Sequence, residues 1–468
     1  MTYAPPAPTR PPEGYYDGAE RMSARQMLRA VRDLRRNPLA IWSDRYYREP
    51  VVSLRFAGRD VVLVSDPALA RQVLVTDASS YRFSHIRQAL FQPILPDGLL
   101  TDEGEVWRRT RRALTPVFTP RHVRGFASAM ARVAREAAEG LPGGDRDASR
   151  LALDVTLNVL LACLFPPGAP LDRERFFADV EGVLAHGGTP HPLDVFGVPA
   201  AVPRWGRAPL RRHVASLRAQ VARIRAEGGS PDDGAGGDLL SLLLAAGRAE
   251  GEPLTPGQVD ANLLTFLLAG HETTARTVAW TLALLSEARA EREAVEAEID
   301  AARLHESDPA DWPGALPQLT ATIREALRLY PAAAHLSRTA TRPVEIGGRT
   351  YPAGTSVAVS AWLVHRHERN WDDPGAFKPS RFADPSRARQ DAYIPFGLGP
   401  RTCIGASFAM QELVIVLASL LRNRCFTLTH PMPVPVMKVT LVPDAPLVVR
   451  VANRSPAAHL PAARGAAS

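Results

Sequence analysis

Lysine is nearly missing from this 468-residue chain: of its 56 basic residues only Lys378 and Lys438 are lysines. A phosphate-binding loop needs Gly-Lys-Ser/Thr, which neither lysine supplies, so P-loop enzymes are set aside and Schiff-base enzymes have two positions left to them. Cysteine is as scarce. Cys163, Cys403 and Cys425 are odd in number and widely spaced, which argues against a disulfide framework or a C-x-x-C zinc knuckle and for a reducing compartment. Long apolar runs are also lacking at the start, MTYAPPAPTRPPEGYY, so neither a signal peptide nor a membrane anchor is expected there. A soluble, cytoplasmic protein follows. Several motifs fail as well: Ala275 stands where H-E-x-x-H needs its second histidine, Thr402 stands where the dinucleotide fingerprint needs its third glycine, and no G-x-S-x-G elbow occurs.

What is present is ordinary in bulk, with 46% hydrophobic and 22% charged residues, and predicts a sizeable buried core. The net charge of +7 rests on arginines scattered along the chain, the mark of a compositional bias, and nucleic-acid binding is not expected. Residues 1–20 read as a flexible proline-rich lead, 21–453 as one large domain, and 454–468 as a flexible Ala/Pro-rich tail. The stretch 228–238, GGSPDDGAGGD, reads as a surface loop between two helices of that domain. Val51 to Leu54 and Asp60 to Val64 predict a hairpin about Gly58, and a second β-rich block, 344–359 with its Gly347-Gly348 turn, is expected to share a sheet with it. Elsewhere the periodicity is helical. Thr255-Pro256-Gly257-Gln258 carries a capping threonine, a first-turn proline and a capping-box glutamine, so a helix should run over 255–286, about 48 Å at 1.5 Å per residue. Its middle, LLTFLLA, is apolar all round and is followed by Gly270-His271-Glu272-Thr273-Thr274.

Four clusters hold residues suited to chemistry: 107–111, 269–274, 325–328 and 396–405. The last reads FGLGPRTCIG, a glycine-punctuated loop whose Cys403 precedes an apolar helical run. A cysteine at a helix N-terminus meets backbone N–H groups and the positive end of the macrodipole, which favour thiolate, the form that binds metal. Gly399 and Gly405 would permit close approach to a flat cofactor, and Phe396 could shield the sulfur. A lone cysteine of this kind is more often an inert buried thiol. The spacing F-x-x-G-x-R-x-C-x-G, however, resembles the haem-ligand loop of the cytochrome P450 family, soluble bacterial type, and the other clusters follow that family's order.

The resemblance implies a mainly α fold with a small β region, binding haem b (iron protoporphyrin IX). Cys403 matches the thiolate ligand to the iron. Trp107, Arg111, Arg338 and Arg401 match positions that pair with the haem propionates. Ala269 and Gly270 match the small residues that leave room for O2, with Thr273 hydrogen-bonding the bound oxygen and Glu272 feeding protons through water. Glu325, Arg328 and Arg381 match a structural ion-pair triad. Leu100, Leu268, Ala333, Ala334 and Val439 fall on substrate-lining positions, all apolar, and imply a hydrophobic small-molecule substrate. Residues 189–206 match the access lid, packed on its own core in preference to a lipid surface. His85 and His335 lie near substrate positions, with a hydrogen-bonded structural role as the default. The expected activity is monooxygenation, a hydroxylation or epoxidation, by a monomer taking electrons from a ferredoxin or flavodoxin-type donor and an NAD(P)H-dependent reductase, since no flavin or iron–sulfur domain is recognised in the chain. The alternative is a haem-thiolate binding or sensor protein without turnover, for which Glu272-Thr273 has no use.

Overall fold

The computed structural model describes residues 2–12, 24–56, 59–187, 191–195, 198, 202–228, 238–246, 254–384 and 390–454. The expectations for 13–20, for most of the 228–238 loop, for parts of the 189–206 lid and for the tail after 454 lie outside them. Helices end at Gly228 and begin again at Leu239 on either side of the loop.

The five strands of the main sheet are β1 (Val51–Phe56), β2 (Arg59–Val64), β3 (Tyr81–Phe83), β4 (His335–Ala340) and β5 (Ser356–Ser360), in spatial order β1-β2-β5-β4-β3. β1 and β2 pair antiparallel as the alternating pattern predicts, Val51 facing Val64. β2 runs parallel to β5, with Val61 to Val64 beside Ser356 to Val359, so the two β-rich blocks do share one sheet. Val62, Val64, Val357 and Val359 are fully buried, which fixes the register because a one-residue slip would turn them to solvent. Gly347 and Gly348 take φ of +60° and +77° in the turn between two short strands, a conformation open to glycine.

The rest of the fold is mainly helical. Six helices position the site: α1 (His85–Phe91), α2 (Gly104–Leu114), α3 (Ala148–Leu164), α4 (Pro256–Glu287), α5 (Pro317–Leu329) and α6 (Ala406–Asn423). α4 starts where its cap predicts, with Gln258 N donating to Thr255 Oγ1 at 3.2 Å and Thr255 N to Gln258 Oε1 at 3.0 Å. It is buried on nearly all sides, as its apolar middle requires, and crosses the core against α3. Trp280 of α4 stacks on Tyr330, just past α5, with ring centroids 4.2 Å apart. A two-stranded hairpin, β6 (Pro435–Met437) and β7 (Leu441–Pro443), closes against these helices. α6 is long and apolar enough to cross a membrane, but 67% of it is buried in the protein, as a core helix is.

Residues 2–12 are extended, as the prolines dictate, yet they lie against the domain. The Tyr3 hydroxyl donates to the Met432 sulfur at 3.2 Å, Phe377 N donates to Tyr3 O at 2.8 Å, and the Arg10 guanidinium sits 3.8 Å from the Tyr47 ring centroid. One aromatic and one cation at spaced positions suffice to anchor a segment whose composition alone reads as mobile.

Candidate active site

The cysteine loop is held from both ends. Cys403 N and Thr402 Oγ1 donate to Phe396 O at 2.8 and 3.3 Å, which folds the loop back on its own aromatic. Gly397 and Gly399 take φ of +75° and +72°. A Cβ on Gly399 would lie 2.2 Å from Leu74 O, so this glycine permits a close backbone-to-backbone approach. Gly405 differs: a Cβ there meets nothing within 4 Å, so its face is open.

Cys403 lies two residues before that open position and is itself accessible. Although the sulfur is accessible on that open side, the protein packed around the rest of it pushes the thiol up from the ordinary value, while the Gly405 N–H and the Arg111 guanidinium pull it down. Both act in the direction of the thiolate expected from the sequence. A metal cation at the sulfur would supply the missing stabilisation.

On α4 the periodicity separates four neighbouring residues by face. Ala269 is accessible although Leu268 and His271 beside it are buried, and Thr273, one turn on, lies on the same side with its Oγ1 donating to Ala269 O at 2.7 Å. Gly270 faces the Leu160 side chain of α3, which a Cβ there would meet at an ordinary van der Waals distance of 3.5 Å. His271 is buried against α3, Nε2 within 3.0 Å of Leu153 O, and desolvation lowers its pKa to about 4. Glu272 Oε1 accepts from Thr440 Oγ1 at 2.8 Å and from Arg276 Nη2 at 3.3 Å.

A cluster of cations gathers at the edge of this region. The guanidiniums of Arg87, Arg401 and Arg338 lie 3.5, 4.4 and 5.3 Å from the Phe83 ring centroid, and Arg401 is 3.7 Å from that of Trp107. Burial lowers the pKa of Arg87 to about 9 and of Arg338 and Arg401 to about 10, and each of the three is opposed or supported by charges in the same cluster. Their carboxylate counterweight is Glu103, whose oxygens accept from Phe83 N at 2.6 Å and Gln88 Nε2 at 3.1 Å, with Asp102 acting on Arg401. Arg111 also faces Arg401, and its own pKa is lowered by burial and raised by Cys403. Four guanidiniums thus meet two carboxylates, and Arg401 Nη1 is buried with no hydrogen-bond partner among the described residues. The chemistry of this donor set fits haem: two propionates would close the charge deficit, and a soft metal would take the sulfur. Arg87 and Glu103 were not legible in the sequence, since no motif links them and they meet the later arginines only when β3 pairs with β4.

The Glu325–Arg328 pair forms as the family resemblance implies. Both side chains are fully buried, and Arg328 donates through Nε and Nη2 to the two Glu325 oxygens at 2.7 and 2.8 Å. Its remaining donors reach His365 O, Pro374 O and Ala376 O at 2.8 to 2.9 Å. Arg381 Nε completes the triad at 3.3 Å from Glu325 Oε1. His365, whose Nδ1 lies 3.0 Å from Arg328 O, also accepts from Ile394 N at 2.8 Å through Nε2, two residues before the cysteine loop.

Among the apolar positions, Ala333 is accessible, Leu100 and Val439 are half-buried, and Leu268 and Ala334 are covered at 8% and 3% exposure. His335 packs edge-on against Trp42 at 4.7 Å, and burial lowers its pKa to about 4. His85, whose pKa burial also lowers, opens α1 after the Ser84 cap. No sequence motif marks Glu412 of α6, which is fully enclosed, hydrogen-bonded to Thr274 and pushed well above the ordinary carboxyl range by burial.

The cytochrome P450 family model matches residues 36–448. Cyclooctatin synthase from Streptomyces melanosporofaciens is 31% identical over 87% of this chain and 90% of its own length. Cyclooctat-9-en-7-ol 5-monooxygenase from the same organism is 30% identical over 89% and 91%. Among solved structures, CYP175A1 from Thermus thermophilus superimposes with a TM-score of 0.71 at 26% identity, covering 92% of this chain and all of that one.

Proposed function

The chain belongs to the cytochrome P450 family and is a haem-thiolate monooxygenase, and from that premise we propose how its residues divide the work. Cys403 holds the iron through its sulfur. Arg338, Arg401 and Trp107 hold the propionate edge, with Arg111 placed between that edge and the sulfur. Bound in this way, haem b supplies the redox chemistry by which one atom of O2 is inserted into an organic substrate and the other leaves as water.

The residues of α4 govern what reaches that chemistry. Ala269 keeps its face clear, and Thr273 holds its hydroxyl on that same face by bonding one turn back to Ala269 O. Glu272 is the acid next to it and passes protons inward through water. Leu100, Ala333 and Val439 offer apolar contact with little polar direction, which supports a hydrophobic small-molecule substrate undergoing hydroxylation or epoxidation. The similarity to a relative named cyclooctat-9-en-7-ol 5-monooxygenase is in keeping with that class. Electrons come from a ferredoxin or flavodoxin-type protein with an NAD(P)H-dependent reductase.

The observation that carries this assignment is the accessible Cys403 beside a cationic cluster that lacks two negative charges. Cys403→Ser tests it. The variant should fold, yet its reduced carbon monoxide complex should lose the red-shifted Soret band that the wild type shows; retention of that band would place the ligand elsewhere.

A further inference from the structure

Two donors converge on one oxygen of Glu272. Arg276 lies one turn along the same helix, so its 3.3 Å bond is the sort any i,i+4 pair can make. Thr440 is another matter: it comes from the β6–β7 turn, far along the chain, and donates at 2.8 Å. The turn is tied to its surroundings at two further points and braced internally at a third. Trp280 Nε1 of α4 donates to Leu441 O at 3.3 Å, Leu441 N donates to Ala332 O at 3.2 Å, and Lys438 N donates to Thr440 O at 3.0 Å. Thr440 is buried at 5% exposure, while its neighbour Val439 is only half-covered, and Ala332 adjoins the accessible Ala333. One hairpin therefore bonds the acid, carries Val439 in its own turn and is tied to the residue before Ala333.

The bonding pattern has a chemical consequence. Donors from Thr440 and Arg276 occupy Oε1, so a proton taken up by this carboxyl goes to Oε2, and the two bonds set the direction in which that O–H points. The Glu272 and Arg276 side chains are 12% and 14% exposed, so these bonds are only partly screened by water.

We propose that Thr440 is the positioning residue for Glu272: its hydroxyl aims the acid beside Thr273, and because it sits next to Val439, displacement of the hairpin by substrate is transmitted to the proton donor. The proposal rests on Glu272 acting as proton donor, a role that a separate variant tests. Holoenzymes of the wild type, Glu272→Gln, Thr440→Val and Thr440→Ser are compared by two measurements. The first is the infrared difference spectrum of the reduced carbon monoxide complex, in which the Glu272 carboxyl band is the one absent from Glu272→Gln. The second is the solvent deuterium isotope effect on reductant oxidation with a surrogate ferredoxin and reductase.

Thr440→Val should shift the carboxyl band and slow the proton-sensitive step about 3- to 10-fold, the effect of losing one hydrogen bond, and Thr440→Ser should restore both. Thr440→Ala gives the same reading should the valine variant load haem poorly. If Glu272→Gln alters the isotope effect while Thr440→Val changes neither band nor rate, Thr440 has no positioning role. If Glu272→Gln leaves the isotope effect unchanged, the proton-donor reading fails and the proposal fails with it.

Discussion

Two groups of arginines in this protein differ in one respect, and the difference separates framework from site. Around Arg328 every donor has an acceptor: two carboxylate oxygens and three backbone carbonyls, all within 2.9 Å and away from water. Around Phe83, Arg87, Arg338 and Arg401 crowd together with too few carboxylates, and a buried Arg401 nitrogen lacks a partner among the described residues. A buried charge is tolerable only when paired. The first group is complete as folded, and the second is complete only with an anionic ligand.

The sharpest way to break the comparison is to remove an arginine from each group. Arg328→Ala strands the Glu325 carboxylate in the core with only Lys378 N and the weaker Arg381 bond, and should cost about 3–5 kcal/mol of stability, read from chemical denaturation of the haem-free protein. Arg401→Ala should do the reverse. Relief of repulsion among like charges offsets the lost stacking on Trp107 and Phe83, so the haem-free protein should stay within about 1 kcal/mol of wild type. Its haem affinity, followed by transfer to apomyoglobin, should fall about 10- to 100-fold. Equal destabilisation of the two haem-free variants would erase the distinction.

A smaller effect sharpens it with pH. His271 and His335 titrate near 4 when folded and near 6.5 when unfolded, because burial disfavours the imidazolium. Above about 6.5 both states are neutral and the histidines are without effect. Between 6.5 and 4 only the unfolded chain takes up the proton, so stability should decline as pH falls through that window, by at most one proton per histidine, and level off below it. His271→Asn should flatten the slope of the unfolding free energy against pH, whereas Arg328→Ala should lower the whole curve.

Much of this was legible in the sequence where the signal is local. The start of α4 was written in Thr255 and Gln258, whose reciprocal bonds need only each other. The spacing of the Cys403 loop carried the family resemblance, and that resemblance in turn marked the Glu325–Arg328 pair, which i,i+3 spacing alone would not distinguish from a solvated helix face. Non-local features escaped. Thr440 meets Glu272, and Glu103 meets Arg338 and Arg401, through folding of segments remote in sequence, so no pattern announced them. The need for glycine at 399 is of the same kind, since Leu74 O, remote in sequence, leaves no space for a Cβ there.

By itself the amino-acid sequence determined which residues could carry chemistry and the helix and strand periods on which they ride, because capping, spacing and alternation act within a few residues. The tertiary structure decided the state of those residues. Burial raised the Cys403 thiol, emptied the imidazoles of charge and brought cations together, since desolvation and Coulomb energy depend on what surrounds a group in space and not on what precedes it in the chain.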